Sequence, residues 1–100
     1  MEMPNEDAKR DRKKTKERLA RETEQADYRW LMATAQGRRI VWRMLERAGV
    51  FRSSFSSDAM AMAFNEGNRN SGLALLATVS NLSPAEYVEM MEEATNDAAD

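Results

Sequence analysis

Cysteine and histidine are both absent from the 100 residues. That removes disulfide staples, thiolate nucleophiles, cysteine–histidine zinc sites and a histidine general base. Long apolar runs are missing too. The first apolar cluster, Trp30-Leu31-Met32, falls far short of the roughly 20 residues that a membrane span needs. Met1 to Asn5 lead straight into charged residues, so neither a signal-peptide core nor a membrane anchor is expected. Strand signals are weak everywhere and no internal repeat is present. The length suits one small soluble domain and leaves no room for a two-domain enzyme.

What is present is charge, unevenly spread. The chain carries 15 Lys+Arg and 17 Asp+Glu, a net charge of -2 that hides an asymmetry. Between Lys9 and Glu22 stand eight basic residues (Lys9, Arg10, Arg12, Lys13, Lys14, Lys16, Arg18, Arg21) and three acidic ones, a local net charge of +5. Leu19 is the one large apolar residue there, so the segment has no stripe to bury. Its Lys, Arg, Glu, Ala and Gln content favours helix, and Glu17–Arg21 at i,i+4 supports it. Residues 1–26 thus read as a charged arm, a solvated helix or a flexible segment, with Asn5 able to cap its start. From Glu86 onward six acidic residues and no basic one give -6.

Between those ends the pattern is helical, and the fold class is all-α. Residues 27–96 read as a small domain of three or four helices, and residues 97–100 as an acidic tail. Asp27 to Ala33 opens it, continuous with the arm or separate. Thr34 is a candidate N-cap for a helix from about Ala35 to Ala48, stopped by Gly49. Within it Ile40, Val41, Met44, Leu45 and Ala48 form a broad apolar stripe, while Arg39, Arg43 and Arg47 recur at i, i+4, i+8 on another side. Trp42 lies off the stripe and needs a different neighbour.

Phe51 and Phe55 in the following connector read as plugs for the core ends. Ser54, Ser56, Ser57 and Asp58 are cap candidates for a helix that runs to Leu82, with a bend or break expected between Asn65 and Ser71 around Gly67. Ser83-Pro84-Ala85-Glu86 is a capping box with proline at the first helical position, and Tyr87, Met90, Met91 and Ala94 follow at helical spacing. A core of about 70 residues without staples is marginally stable. Self-association or docking relieves that shortage, and eight methionines suit an adaptable buried surface.

Catalysis finds little support. The hydroxyls of Ser53, Ser54, Ser56 and Ser57 have no activating base nearby and fit turn chemistry. Glu89, Glu92, Glu93 and Asp97 lack calcium-loop spacing, and neither Gly67 nor Gly72 belongs to a phosphate-cradling loop. No catalytic residue, cofactor or metal ligand is assigned, and the chain is expected not to be an enzyme. Non-specific contact with DNA is the physical alternative: residues 28–52 add six arginines against Glu46, and Lys9, Arg10, Arg12, Lys13, Lys14, Lys16 and Arg18 would meet phosphates. A helix-turn-helix is ruled out by the long connector from Gly49 to Ser57. Glu66, Arg69 and Asn70 form an unusual polar group between apolar half-helices, either a buried network or a recognition patch.

Three strings read together carry a resemblance. They are Asp27-x-Arg29-Trp30-x-Met32; Gly37-Arg38-Arg39-x-x-Trp42-Arg43-x-Leu45-x-x-Ala48-Gly49-Val50-Phe51-Arg52-Ser53-Ser54-Phe55; and Phe64-x-Glu66-Gly67-x-Arg69-Asn70-x-Gly72-Leu73-x-Leu75-Leu76. Over roughly residues 27–92 the chain resembles a small tailed-bacteriophage virion-associated family with a Bordetella phage member, encoded in the structural gene block near portal and terminase genes. Ala35 stands where that family often has proline. The resemblance implies a phage protein, found in the virion and in the host cytoplasm during assembly. It implies phage structural proteins as partners at the portal, the head–tail junction or among internal ejected proteins; a homo-oligomer or ring assembly is expected as well, from the small size of the core. It brings no catalytic or binding residues. The expected interface is Arg39, Arg43, Arg47, Trp42, Glu66, Arg69 and Asn70, with Trp30, Phe51, Phe55 and Phe64 as further core or interface anchors and the arm as a basic tether.

Overall fold

The computed structural model describes residues 4–99. Four helices follow one another: α1 (Pro4–Met32), α2 (Ala35–Arg47), α3 (Ala59–Leu82) and α4 (Pro84–Ala99). The all-α expectation holds. α2 and α3 form the central pair, and α1 and α4 flank it. The Cα radius of gyration is 19.3 Å, against about 13 Å for a compact chain of this length. The molecule measures 69 × 38 × 16 Å, a thin plate with a rod attached.

The rod is α1. Twenty-nine residues at about 1.5 Å each give roughly 43 Å, and residues 9–27 are exposed throughout. The arm and the first domain residues are one continuous helix, because nothing between Asn5 and Met32 breaks the run of helix formers. Asn5 lies inside that helix, not at its cap.

Local chemistry sets the other boundaries. Thr34 is extended (φ -116°, ψ 153°) and its Oγ1 accepts from Gly37 N at 3.1 Å. Ala35 opens α2 without a proline. At the far end Gly49 has φ +77°; its N–H donates to Glu46 O at 3.0 Å, and Val50 N donates to Leu45 O at 3.2 Å. Those two bonds make a Schellman closure, and Leu45 and Val50 meet in the core. Asp58 Oδ1 accepts from Met60 N at 2.9 Å and Ala61 N at 3.3 Å to start α3. α4 starts at Pro84, where the capping box puts it. Its first backbone bond runs from Tyr87 N to Ser83 O at 2.8 Å, and neither side-chain bond of the box is made among the described residues.

The core is small: Met32, Val41, Leu45, Val50, Val79 and Met90, each at most 6 % exposed. Only Val41 and Leu45 of the α2 stripe reach it fully; Ile40 and Met44 stay about half exposed. Two glycines permit this closeness. A Cβ on Gly37 would lie 1.6 Å from Leu31 O, so the α1–α2 corner closes only over a bare α-carbon. A Cβ on Gly72 would lie 2.5 Å from both Ala48 Cβ and Val50 Cγ2, where the end of α2 presses on α3.

Several expectations are corrected. α3 is one helix of 24 residues; the polar stretch from Asn65 to Ser71 does not break it. Exposed Gly67 costs only about 1 kcal/mol, and the rest of the helix outweighs it. Phe51 and Phe55 do not plug the core, nor do Trp30 and Phe64 anchor it: they are 45 %, 78 %, 76 % and 73 % exposed, respectively. In a plate only 16 Å thick, no second layer of helices among the described residues stands over them. Glu66 and Asn70 are exposed and Arg69 half-buried, so the three form no buried network. Asp97 is still helical, while Asp100 lies outside the described residues.

Candidate functional site

Three surfaces gather the polar and apolar residues with something to offer a partner. The first is the outer face of α2. Arg39, Trp42 and Arg43 line a groove of about 240 Å³ against α4, closed on the other side by Glu93 and Asp97. Trp42 stacks on Phe51, with ring centroids 4.8 Å apart and planes at 25°, which gives it the separate neighbour that its off-stripe position requires. Arg47 borders the adjoining hollow with Trp42, Phe51 and Arg52. So Arg39, Trp42, Arg43 and Arg47 share one surface. Glu66, Arg69 and Asn70 are not part of it; they stand on the first half of α3.

Beneath that face lies Arg38, a residue the sequence does not set apart from its neighbours. It is buried. Its Nε and Nη2 donate to the two Glu93 carboxylate oxygens at 2.9 and 3.0 Å, and its Nη1 donates to Met32 O at 3.0 Å. Glu89 Oε1 approaches Nη2 at 3.1 Å. The fork geometry makes this a bidentate, charge-assisted pair. The hydrogen bond to Glu93 holds the guanidinium above its usual range against the opposing effect of burial, with Glu93, Glu89 and Glu86 adding attraction. The same bond, first of all, holds the Glu93 carboxyl below the usual range. Two hints point to Arg38: it shares a side with Thr34, Val41 and Leu45, and α4 supplies unmatched carboxylates.

The second surface is apolar. Met60 and Phe64, at i,i+4, share one face of α3 and are 84 % and 73 % exposed. Phe55 stands in the adjoining connector, which is tied to α3 by a hydrogen bond from Ser54 to Glu66 and by Asn65 Nδ2 donating to Ser54 O at 3.5 Å. Gly67, on the same side one turn later, has no heavy atom within 4 Å of a built Cβ. α3 has two charged residues, Glu66 and Arg69, in its whole length. A helix so apolar is ordinarily covered.

The third surface is the arm. All of Lys9, Arg10, Arg12, Lys13, Lys14, Lys16 and Arg18 are exposed. Lys9, Arg12, Lys13 and Lys16 follow i, i+3, i+4, i+7 and fall on one side of the helix. Arg10 instead pairs with Asp7. No helix among the described residues is long and apolar enough to cross a membrane.

The sequence model of the Bbp19-like phage proteins matches residues 28–92. The chain belongs to that family. The matched span begins at Tyr28, where α1 enters the domain, and ends one residue before Glu93; it takes in the corner, the α2 face and all of α3, and leaves the basic arm outside. No curated protein and no solved structure matches the chain. For a Bbp19-like phage protein, then, the surfaces themselves carry the functional reading.

Proposed function

We propose that this Bbp19-like protein is a virion-associated subunit that works by docking on a larger phage assembly: the portal, the head–tail junction or the internal ejected proteins. It acts there as a non-enzymatic building part, in a homo-oligomer or ring, present in the host cytoplasm during assembly and in the particle afterwards. The observation that carries this reading is the exposure of Met60 and Phe64 on one face of α3 and of Phe55 in the connector, each nearly three-quarters exposed or more, against six buried apolar side chains among the described residues. Burying one such side chain fully is worth about 1.5–3 kcal/mol, and large apolar side chains grouped in the open on one helix face, as Met60 and Phe64 are, mark an interaction site. The neighbouring α2 face adds Arg39, Arg43 and Arg47, which suit carboxylates on a partner.

Mass spectrometry of purified particles tests it. The protein is expected at a fixed copy number, and Phe64→Ser with Met60→Gln is expected to lower that number while the free chain stays folded. Absence from particles overturns the reading.

The one-sided arrangement of Lys9, Arg12, Lys13 and Lys16 supports a second reading, non-specific contact with phage DNA. Four phosphate contacts predict about a hundredfold loss of affinity between 50 and 200 mM salt. No retardation of DNA at low salt removes it.

A further inference from the structure

Between the α2–α3 connector and α3 lies a half-open notch of about 140 Å³, several times the roughly 30 Å³ share of one water. Two guanidinium groups line it, Arg52 and Arg69, together with Ser53 and the amides of Asn65 and Asn68; no carboxylate does. Arg69 Nε is buried and makes no protein hydrogen bond. That Nε is closed to solvent, so it is the terminal Nη groups of Arg69, which make no hydrogen bond or ion pair among the described residues, that can meet an acceptor in the notch.

Arg52 is held in place for the same acceptor. Its Nη2 donates to Glu46 O at 3.0 Å, and its guanidinium lies over the bare α-carbon of Gly49, where a Cβ would stand 3.5 Å from Nη2. That leaves its other N–H groups unspent. The Ser53 hydroxyl oxygen accepts from Phe55 N at 3.1 Å, which leaves its proton to donate. Asn68 Nδ2 is committed to Arg47 O at 3.2 Å and Asn65 Nδ2 to Ser54 O. The nearest acidic side chain, Glu66, is engaged by the Ser54 hydroxyl and stays outside the lining.

We infer that this notch is a binding site for a single phosphate-type oxyanion, held between the guanidinium groups of Arg52 and Arg69 with the Ser53 hydroxyl as a third donor. A carboxylate is satisfied by one guanidinium fork in one plane. Two guanidiniums approaching from separate elements, a loop and a helix, fit an acceptor with oxygens in several directions, which is the geometry of phosphate. The same chemistry comes from a free phosphate or from a nucleic-acid phosphodiester. The inference stands apart from the docking reading, since it uses neither the apolar face of α3 nor the arginines of α2.

The experiment is an NMR titration of the full chain at constant ionic strength, following the Arg69 and Arg52 Nε–H signals and the Ser53 amide. Inorganic phosphate is one arm, a short single-stranded oligonucleotide a second, and sodium acetate a third. Saturable movement of both arginine signals with phosphate supports the inference, and the oligonucleotide arm shows whether a phosphodiester also enters. Arg69→Gln is expected to weaken phosphate binding by about tenfold or more, the scale of one charge-assisted hydrogen bond. Arg52→Gln, at an exposed position, gives the same readout in a chain that keeps its fold. Linear, unsaturating shifts, binding left intact in both variants, movement confined to Lys9–Arg21, or a stronger response to acetate than to phosphate each overturn it.

Discussion

The two halves of α3 both carry large apolar side chains and place them in opposite environments. From Gly72 to Leu82 the helix packs against the end of α2 and against α4, with Val79 fully buried. From Ala59 to Ser71 only Ala61 and Arg69 are even half-buried, and Met60 and Phe64 face outward. An apolar side chain is therefore not buried by its own chemistry alone: Met60 and Phe64 are exposed and Val79 is not. What decides it is whether another backbone can come close enough, and that turns on the glycines. At Gly72 the α2 turn enters the space a methyl group would need; at Gly67 nothing enters. The closed half holds the domain together, and the open half is left for something else to cover.

The strongest way to break the closed side is Gly37→Ala. A methyl placed 1.6 Å from Leu31 O forces the α1–α2 corner apart, and the expected loss is about 4 kcal/mol or more, read as loss of cooperative melting by circular dichroism. That outcome would still leave the arm helical in part, because its helix rests on local propensity.

Arg38→Met comes next, at about 3 kcal/mol, because three guanidinium hydrogen bonds disappear and Met32 O is left without its donor. Chemical denaturation measures it. The pair also fixes an acid limb. Glu93 is held below its ordinary range by Arg38, so its stabilisation is present above the unfolded carboxyl value of about 4.3 and fades as pH falls through the folded one. The wild type is expected to lose stability below that point, and the variant to show a flatter acid limb.

The remaining two substitutions compare the halves of α3 directly. Gly72→Ala is expected to cost about 2 kcal/mol, since Ala48 Cβ and the branched Val50 side chain have little room to retreat. Gly67→Ala, with open space around it, is expected to stabilise by about 0.5–1 kcal/mol through helix propensity alone. Equal effects at the two positions would end the distinction between the halves.

Much of the fold is legible without coordinates, and the reason is range. Thr34, Gly49, Asp58 and Pro84 mark helix ends through bonds and backbone constraints that reach no further than about five residues along the chain. The candidate surfaces are only partly legible. Helical period alone groups Arg39, Arg43 and Arg47. It sets Arg38 on the side of Val41 and Leu45 but does not show its partner, Glu93, which is 55 positions away. Nor does it tell Phe64 from Val79, which sit on one helix at different depths.

By itself, then, the order of residues determined the all-α class, the ends of α2, the start of α3 and of α4, a basic segment at one end and an acidic helix at the other. The tertiary structure alone decided which arginine goes inside, which glycines are indispensable, which aromatics face water, and that Arg52 and Arg69 line one notch. Hydrogen bonds that cap helices form within a turn or two of their own residue. Burial depends on the approach of elements far apart in the chain, and a difference of one methyl group settles how close they come.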